Sequence, residues 1–170
     1  MKLACCLLLL ATTGALAQDR IAYSLNEGNV DFSVPAGWIA IMEKTDGNPQ
    51  AIAFQVPDPS AQGSNDSADV TVKTRRLPSA SGYAATVEGE LGRARAQDGY
   101  ESDTRHSSAD DHRYFVQRAG TRYQVRDSFR LLGNIVVEVR CRRPVLATTP
   151  ASWNASFDAG CDSVVASLAQ

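Results

Sequence analysis

Two cysteines near the C-terminal end constrain the fold of this chain more than any other feature. Cys161 falls in a stripe of apolar residues spaced as on one face of a helix, and Cys141 falls on the apolar side of an alternating strand. Both thiols therefore point into one core from different layers. We expect a Cys141–Cys161 disulfide that joins the last helix to a sheet, with two buried free thiols as the alternative. The helical stripe consists of Trp153, Phe157, Cys161, Val164, Val165 and Leu168.

The first 17 residues have the organisation of a cleaved signal peptide. Lys2 precedes an apolar stretch over residues 3–10, and residues 15–17 (Ala-Leu-Ala) have the small-x-small form that signal peptidase cleaves. The stretch is shorter than the about 20 apolar residues of a membrane-spanning helix. We expect cleavage after residue 17, which removes Cys5 and Cys6. The mature chain is then periplasmic or extracellular, where disulfides persist.

Residues 18–170 have the length of a single domain and contain no second apolar segment that would span a membrane. Without Lys2 the chain has 16 basic and 19 acidic residues, a net charge of −3. This balance argues against non-specific binding to nucleic acid.

The apolar periodicity predicts strands, a helix, three more strands and a final helix. Residues 30–34 and 51–56 alternate as strands do, whereas apolar residues between 83 and 94 recur at helical spacing. Ser79 or Ser81 is a candidate cap for the first helix, and Thr149 is one for the last, with Pro150 at its first position. Glycines inside the first helix suggest a close approach to a sheet. The fold class is therefore α+β: a largely antiparallel sheet flanked by helices, an α/β/α sandwich.

Two hairpins connect the last three strands. A two-residue turn at Ala119-Gly120 pairs Val116 with Tyr123, so apolar residues match across the strands. For the next connection we predict a three-residue turn over 132–134, or an equivalent bulge, which pairs Phe129 with Val137. A two-residue turn would place Phe129 opposite Glu138 and mix apolar with charged residues on one face.

Arginines accumulate on the outward face that this register predicts. One interpretation is a docking surface for an acidic partner, because arginine binds carboxylates well and is enriched at protein interfaces. The alternative is the ordinary solvated face of an antiparallel sheet. The five residues are Arg122, Arg126, Arg130, Arg140 and Arg142.

Candidate catalytic chemistry is sparse. His106, Asp110 and His112 offer a weak metal site, although their spacing matches no metal motif and a solvated turn is the alternative. The chain has no Gly-x-Ser-x-Gly motif and no phosphate-binding glycine loop. Trp38 is a candidate ligand platform, with burial at the edge of the core as the alternative. We expect no catalytic residue and no cofactor.

The segment Val34-Pro35-Ala36-Gly37-Trp38 ends a predicted strand, and the elements that follow it resemble those of the PsbP-like α/β/α sandwich superfamily. The resemblance covers most of residues 21–168. It implies an accessory role, without catalysis, in binding a partner or a ligand. We therefore expect an exported protein that binds a protein partner in the cell envelope, such as an inhibitor or immunity protein. A module that binds a small ligand or lipid is the alternative, and a hydrolase is a third.

Overall fold

The computed structural model describes residues 19–61 and 67–168. The predicted signal peptide and part of the loop after residue 57 lie outside the described residues. The described chain begins with an antiparallel hairpin of β1 (Arg20–Leu25) and β2 (Val30–Pro35). The hairpin forms a sheet of its own, and β1 precedes the first strand that the periodicity predicts.

A second, seven-stranded sheet has the order β3-β4-β5-β9-β8-β7-β6, and every neighbouring pair is antiparallel. The antiparallel fold class is therefore confirmed. The last strand, β9, returns to the centre between β5 and β8. The strands are β3 (Ile39–Lys44), β4 (Gln50–Val56), β5 (Ala68–Arg76), β6 (Glu101–Ser102), β7 (Asp111–Arg118), β8 (Thr121–Leu132) and β9 (Ile135–Pro144).

Two helices lie on opposite faces of the large sheet: α1 (Tyr83–Arg95) and α2 (Ala151–Ser167). The main core lies between the sheet and the layer formed by α2 and the β1–β2 hairpin, and it contains Trp38, which is 8% exposed. Burial of Trp38 in the core, one of the two expectations, is confirmed. Among the described residues no helix has the length and apolar character needed to cross a membrane.

The predicted disulfide is confirmed. Cys141 in β9 and Cys161 in α2 are bonded, and their Cα atoms are 6.4 Å apart. Both cysteines are buried in the main core. The bond therefore joins the last helix to the central strand of the sheet, as the two periodicities predict.

The two predicted hairpins have different outcomes. Val116 pairs with Tyr123 across β7 and β8, which confirms the turn at Ala119-Gly120. The three-residue turn between β8 and β9 is wrong, because Leu132 pairs with Ile135 and Phe129 lies opposite Glu138. A three-residue turn would be favoured if a single face of β8 were apolar and buried. In the structure, helices cover parts of both faces, so each face needs apolar residues of its own.

This register separates the five arginines, so their predicted common face is wrong. Directly opposed residues share a face of an antiparallel sheet. Arg126 lies opposite Cys141, on the face that α2 covers, whereas Arg140 lies opposite Asp127, on the face that α1 covers. Strand alternation puts Arg122 and Arg130 with Arg126, and it puts Arg142 with Arg140.

The predicted helix caps are also corrected. The N-cap of α2 is Pro150, one residue later than predicted, and the Thr149 hydroxyl instead lies 2.7 Å from that of Ser60. The N-cap of α1 is Gly82, without a side-chain cap, because a short 3₁₀ turn over Ala80–Gly82 precedes the helix. A Cβ on Gly89 would meet no atom within 4 Å, so this glycine does not mark a close approach.

Candidate functional site

The three candidate metal ligands have separate partners. His106 Nδ1 lies 2.7 Å from Asp103 Oδ2, His112 Nε2 lies 3.1 Å from the Ala109 carbonyl, and Asp110 accepts a hydrogen bond from Tyr83. The hydrogen bond with His106 lowers the pKa of Asp103. Within residues 19–61 and 67–168, no three histidine, cysteine or acidic side chains are placed to hold a metal ion.

The arginines on the α2 side are largely paired within the chain. Arg126 binds Asp111, with Nε 2.7 Å from the carboxylate, and it also binds Asp162 of α2. Arg122 binds Glu101 at 2.8 Å and stacks its guanidinium 4.1 Å from the Phe115 ring centre. Carboxylates of this chain therefore hold both guanidinium groups in place.

Arg130 belongs to a groove between α2 and β8. It donates a hydrogen bond to the Phe129 carbonyl and lines the groove together with Arg126. The groove has a volume of about 410 Å³, and its apolar lining comes from Leu132, Val165, Ala166 and Leu168. The two arginines are thus brought together beside an apolar strip of the last helix.

Beneath α1 the structure contains a network of buried charges that the sequence analysis missed. Lys73 Nζ lies 2.8 Å from Glu90 of α1 and 2.5 Å from Glu138 of β9. Arg93 binds the same Glu90 at 2.5 Å, and Arg140 binds Glu138 at 2.8 Å. One signal was present, because Glu138 interrupts the apolar run of residues 135–139.

The network continues to the buried carboxylate of Asp127. This side chain accepts hydrogen bonds from Arg140, at 2.7 and 3.1 Å, and from the Tyr114 hydroxyl, at 2.8 Å. Burial, together with the charge of Asp127, raises the pKa of Tyr114, so the phenol stays protonated as a donor. Although burial opposes its charged form, Arg140 has a raised pKa because of Asp127 and Glu138, and it stays cationic.

The two buried glutamates respond differently to their surroundings. Burial raises the pKa of Glu138, and the nearby Arg140 and Lys73 offset this only in part. Burial also opposes ionisation of Glu90, but hydrogen bonds from Arg93 and Lys73 outweigh it and lower the pKa. Glu90 of α1 and Glu138 of β9 share Lys73 of β5, and this shared cation holds α1 against the sheet. The network therefore positions α1.

Helix α1 covers only one half of its sheet face. Its apolar side packs on Phe129 and Val136, and Ala94 packs on Tyr114 and Val125, residues of β7, β8 and β9. The two hydrophobic clusters under α1 contain no described residue of β3, β4 or β5. Apart from the part of β5 where Lys73 binds Glu90 of α1, the surface over these three strands is therefore open beside the helix.

We call this open surface the shelf. Ile39 is 55% exposed and Met42 is 44% exposed, both on the edge strand β3. The register places Ile39 opposite Gln55 and Met42 opposite Ala53, which in turn lies opposite Thr71. The shelf consists of Ile39, Met42, Ala51, Ala53, Gln55 and Thr71.

The sequence indicated an apolar run over residues 38–42, but it did not show that most of the run lies at the surface. Only Trp38 is buried, and Ile41 is 58% exposed at an irregularity between Ala40 and Met42. A β-bulge bends an edge strand and interrupts its pairing edge. The exposed side chains of β3 are therefore a better binding surface than its backbone edge.

No protein-family model matches this chain, and no curated protein matches it. Among solved structures, a protein of Bacteroides thetaiotaomicron is similar over 89% of this chain, with 14% identity and a TM-score of 0.50. This chain spans 48% of that protein's length. LpqN of Mycobacterium tuberculosis, described as involved in cell envelope biogenesis, matches with 12% identity over 86% of this chain and 87% of its own, with a TM-score of 0.49. The likeness to the Bacteroides protein concerns the fold alone.

Proposed function

We propose that this chain is an exported, non-catalytic accessory protein of the cell envelope that binds a protein partner through the shelf. The observation that carries the proposal is the exposure of Ile39 and Met42 beside half-exposed Ala51 and Ala53, on a sheet face that α1 leaves open. Contiguous apolar surface rimmed by polar residues is typical of protein interaction sites. An inhibitor or immunity protein is one form of this function.

Export is supported by the signal-peptide pattern of residues 1–17 and by the Cys141–Cys161 disulfide. Disulfides of this kind persist in the periplasm and outside the cell. Membership of the PsbP-like superfamily remains a prediction from the element order and the segment at residues 34–38.

The absence of catalysis is part of the proposal. The buried carboxylates Glu90, Asp127 and Glu138 each bind a cation of the same network. Such pairing suits the positioning of a helix, whereas a catalytic acid or base has to reach a substrate atom.

The shelf is a better candidate than the arginine surface that the sequence predicted. Arg122 and Arg126 lie on the sheet face that α2 covers and bind carboxylates of this chain. Arg140 and Arg142 lie on the other face, which α1 covers in part. The five arginines therefore do not form one continuous surface, whereas the shelf residues lie together on one face of the sheet.

A second candidate function is the binding of a small amphiphile in the groove between α2 and β8. The combination of Arg130 with apolar Leu132, Val165 and Leu168 favours it. Binding in this groove is tested separately by titrating the protein with a fatty acid. The variant Arg130→Gln is expected to bind the fatty acid more weakly.

Site-specific photocrosslinking in the native cell tests the shelf. A photoreactive amino acid replaces Met42, and the matched control replaces Val145, which is 46% exposed and lies outside the shelf. We expect one protein, identified by mass spectrometry, to be crosslinked from position 42 and not from 145, with loss of the adduct when Ile39→Glu is added. N-terminal sequencing of the same material is expected to start at Gln18.

Equal labelling from positions 42 and 145, or no discrete protein adduct from position 42, would overturn the proposed function. Retention of the thermal unfolding temperature by the Ile39→Glu variant separates a lost contact from a lost fold.

A further inference from the structure

We infer that the partner is an acidic protein whose carboxylates meet a row of cations along the inner side of the shelf. The inference rests on the proposed function of the shelf and names the chemistry of the partner. We call this row the cationic border. It consists of Lys73, Arg75, Arg93, Arg140 and Arg142.

The register places the cationic border next to the shelf. Lys73 lies opposite Ala51, and Arg140 lies opposite Thr71. Neighbouring strands are about 4.8 Å apart, so a group resting on Ala51 or Thr71 is within one or two strand spacings of a cation. Arg93 extends from α1 above the same strands, because its partner Glu90 is bound to Lys73 of β5.

The charges of this region are layered by depth. The side chains of Arg93 and Arg75 are 63% and 42% exposed, whereas those of Glu90 and Glu138 are 5% and 4% exposed. The cations therefore lie outermost and their carboxylates lie beneath them. A partner on the shelf meets positive groups first, although the chain as a whole has a net charge of −2.

The internal pairs also orient the cations for a second carboxylate. Arginine has five N–H donors, so it can keep an internal carboxylate and still donate to another group. Asp127 holds Arg140 through two hydrogen bonds, and Asp69 holds Arg142 at 2.5 and 2.9 Å. Side chains that are already ordered lose less conformational entropy when a partner binds.

Two other occupants fit these charges less well. A second copy of this chain, placed shelf to shelf, would bring two cationic borders together, and like charges repel. A planar anionic membrane would meet the surface of α1 before the corner where Lys73 lies beneath it, since a helix packed on a sheet stands about 10 Å above the strands. A protein segment one helix or loop wide can enter this corner.

Paired charge variants test the inference. The variant Arg75→Gln plus Arg93→Gln removes two exposed cations of the border. The matched control, Arg76→Gln plus Arg95→Gln, removes the same charge from the same elements. Arg76 lies on the face of β5 opposite to Arg75, and Arg95 binds Glu88 instead of Glu90. Thermal unfolding checks that both proteins are folded.

The first readout is the yield of the position-42 crosslink to the partner in cells. We expect a loss of about tenfold in the border variant, equivalent to about 0.7 kcal/mol for each of two ion pairs, and little change in the control. An unchanged yield in the border variant overturns the acidic-partner inference and leaves the shelf proposal intact. If the protein with the photoreactive residue at position 42 and an intact cationic border forms no crosslink, the shelf proposal itself is overturned.

The second readout uses defined probes and fluorescence anisotropy. A peptide that alternates leucine with glutamate is expected to bind and to weaken as salt is raised from 50 to 300 mM, since screening shortens the reach of exposed charges. The matching leucine–lysine peptide is expected not to bind. Equal binding of both peptides, or of neither, contradicts the inference. Binding to phosphatidylglycerol vesicles without binding to the acidic peptide would assign the cations to a lipid surface. That result would also overturn the acidic-partner inference.

Discussion

Gly160 of α2 lies directly against the indole of Trp38: a Cβ at position 160 would be 2.7 Å from Cζ2 of the ring. The contact joins the turn after β2 to the last helix. The indole also stacks on Phe157, one turn earlier in α2, with ring centres 6.5 Å apart. The missing side chain of Gly160 is therefore what allows the helix to approach the core at this point.

Replacing Gly160 with alanine is expected to destabilise the protein. Inserting a methyl group into a packed contact costs about 1–3 kcal/mol, and this exceeds the gain of up to about 1 kcal/mol from better helix propensity. Denaturant unfolding measures the difference. Gly89→Ala is the control, and it is expected to stabilise the protein because its Cβ enters open space. Stabilisation by both alanines would contradict the tight contact with Trp38.

Removing the disulfide is expected to lower the free energy of unfolding. The variant Cys141→Ala plus Cys161→Ala releases a link across 20 residues, which corresponds to about 3 kcal/mol in the chain-entropy estimate. Urea unfolding of the variant is compared with that of the oxidised and reduced wild-type protein. If the reduced protein is as stable as the oxidised one, the link between α2 and β9 contributes no stability.

The stability that Glu90 contributes is expected to depend on pH. Its pKa is lowered in the folded protein because hydrogen bonds from Arg93 and Lys73 outweigh the effect of burial. Its contribution is therefore full above the ordinary glutamate pKa and is lost as pH falls through the lowered value. Thermal unfolding of wild type and Glu90→Gln is expected to differ most at pH 7, and the difference is expected to shrink as the pH falls below the ordinary glutamate pKa.

Glu138→Gln provides the opposite case in the same network. Burial raises the pKa of Glu138, so its contribution is full below the ordinary value and declines as pH rises through the raised one. The stability of wild type relative to this variant is expected to increase from pH 7 to pH 4. The same pH trend in both variants would show that the two carboxylates do not differ as described.

Lys73→Met is expected to destabilise the protein by about 3 kcal/mol, because it removes a shared cation from two buried carboxylates. Lys44→Met is the control: Lys44 is exposed and donates a hydrogen bond to the Pro49 carbonyl at 3.0 Å. Its effect is expected within about 0.5 kcal/mol. Calorimetry checks both values, and equal effects would mean that the network under α1 adds no stability.

Local sequence signals predicted most of the elements, although four strands instead of the predicted three lie between the helices, because the two-residue β6 gave no periodic signal. The alternation at Val30–Val34, the two-residue turn at Ala119-Gly120 and the stripe through Cys161 all appear in the structure. Each depends on residues close in sequence, whose side-chain directions follow from the period of a strand or a helix.

Such local signals could not predict most of the candidate site. The shelf depends on where α1 ends on the sheet, and the exposure of Met42 depends on β3 lying at an edge. The ion pair between Lys73 and Glu138 joins residues 65 positions apart, through the return of β9 beside β5. No local pattern records which strand is at an edge or which distant strand becomes a neighbour.

The sequence by itself determined the disulfide and the kind and order of every element except the short 3₁₀ turns, β1 and the two-residue β6, because periodicity is a property of neighbouring residues. Only the tertiary structure decided the register of β8 on β9 and hence the face on which Arg126 and Arg140 each lie. The physical reason is that a strand has a side-chain period of two, so a slip of one residue moves every side chain to the other face. Partial cover on both faces left the amino-acid pattern compatible with either register.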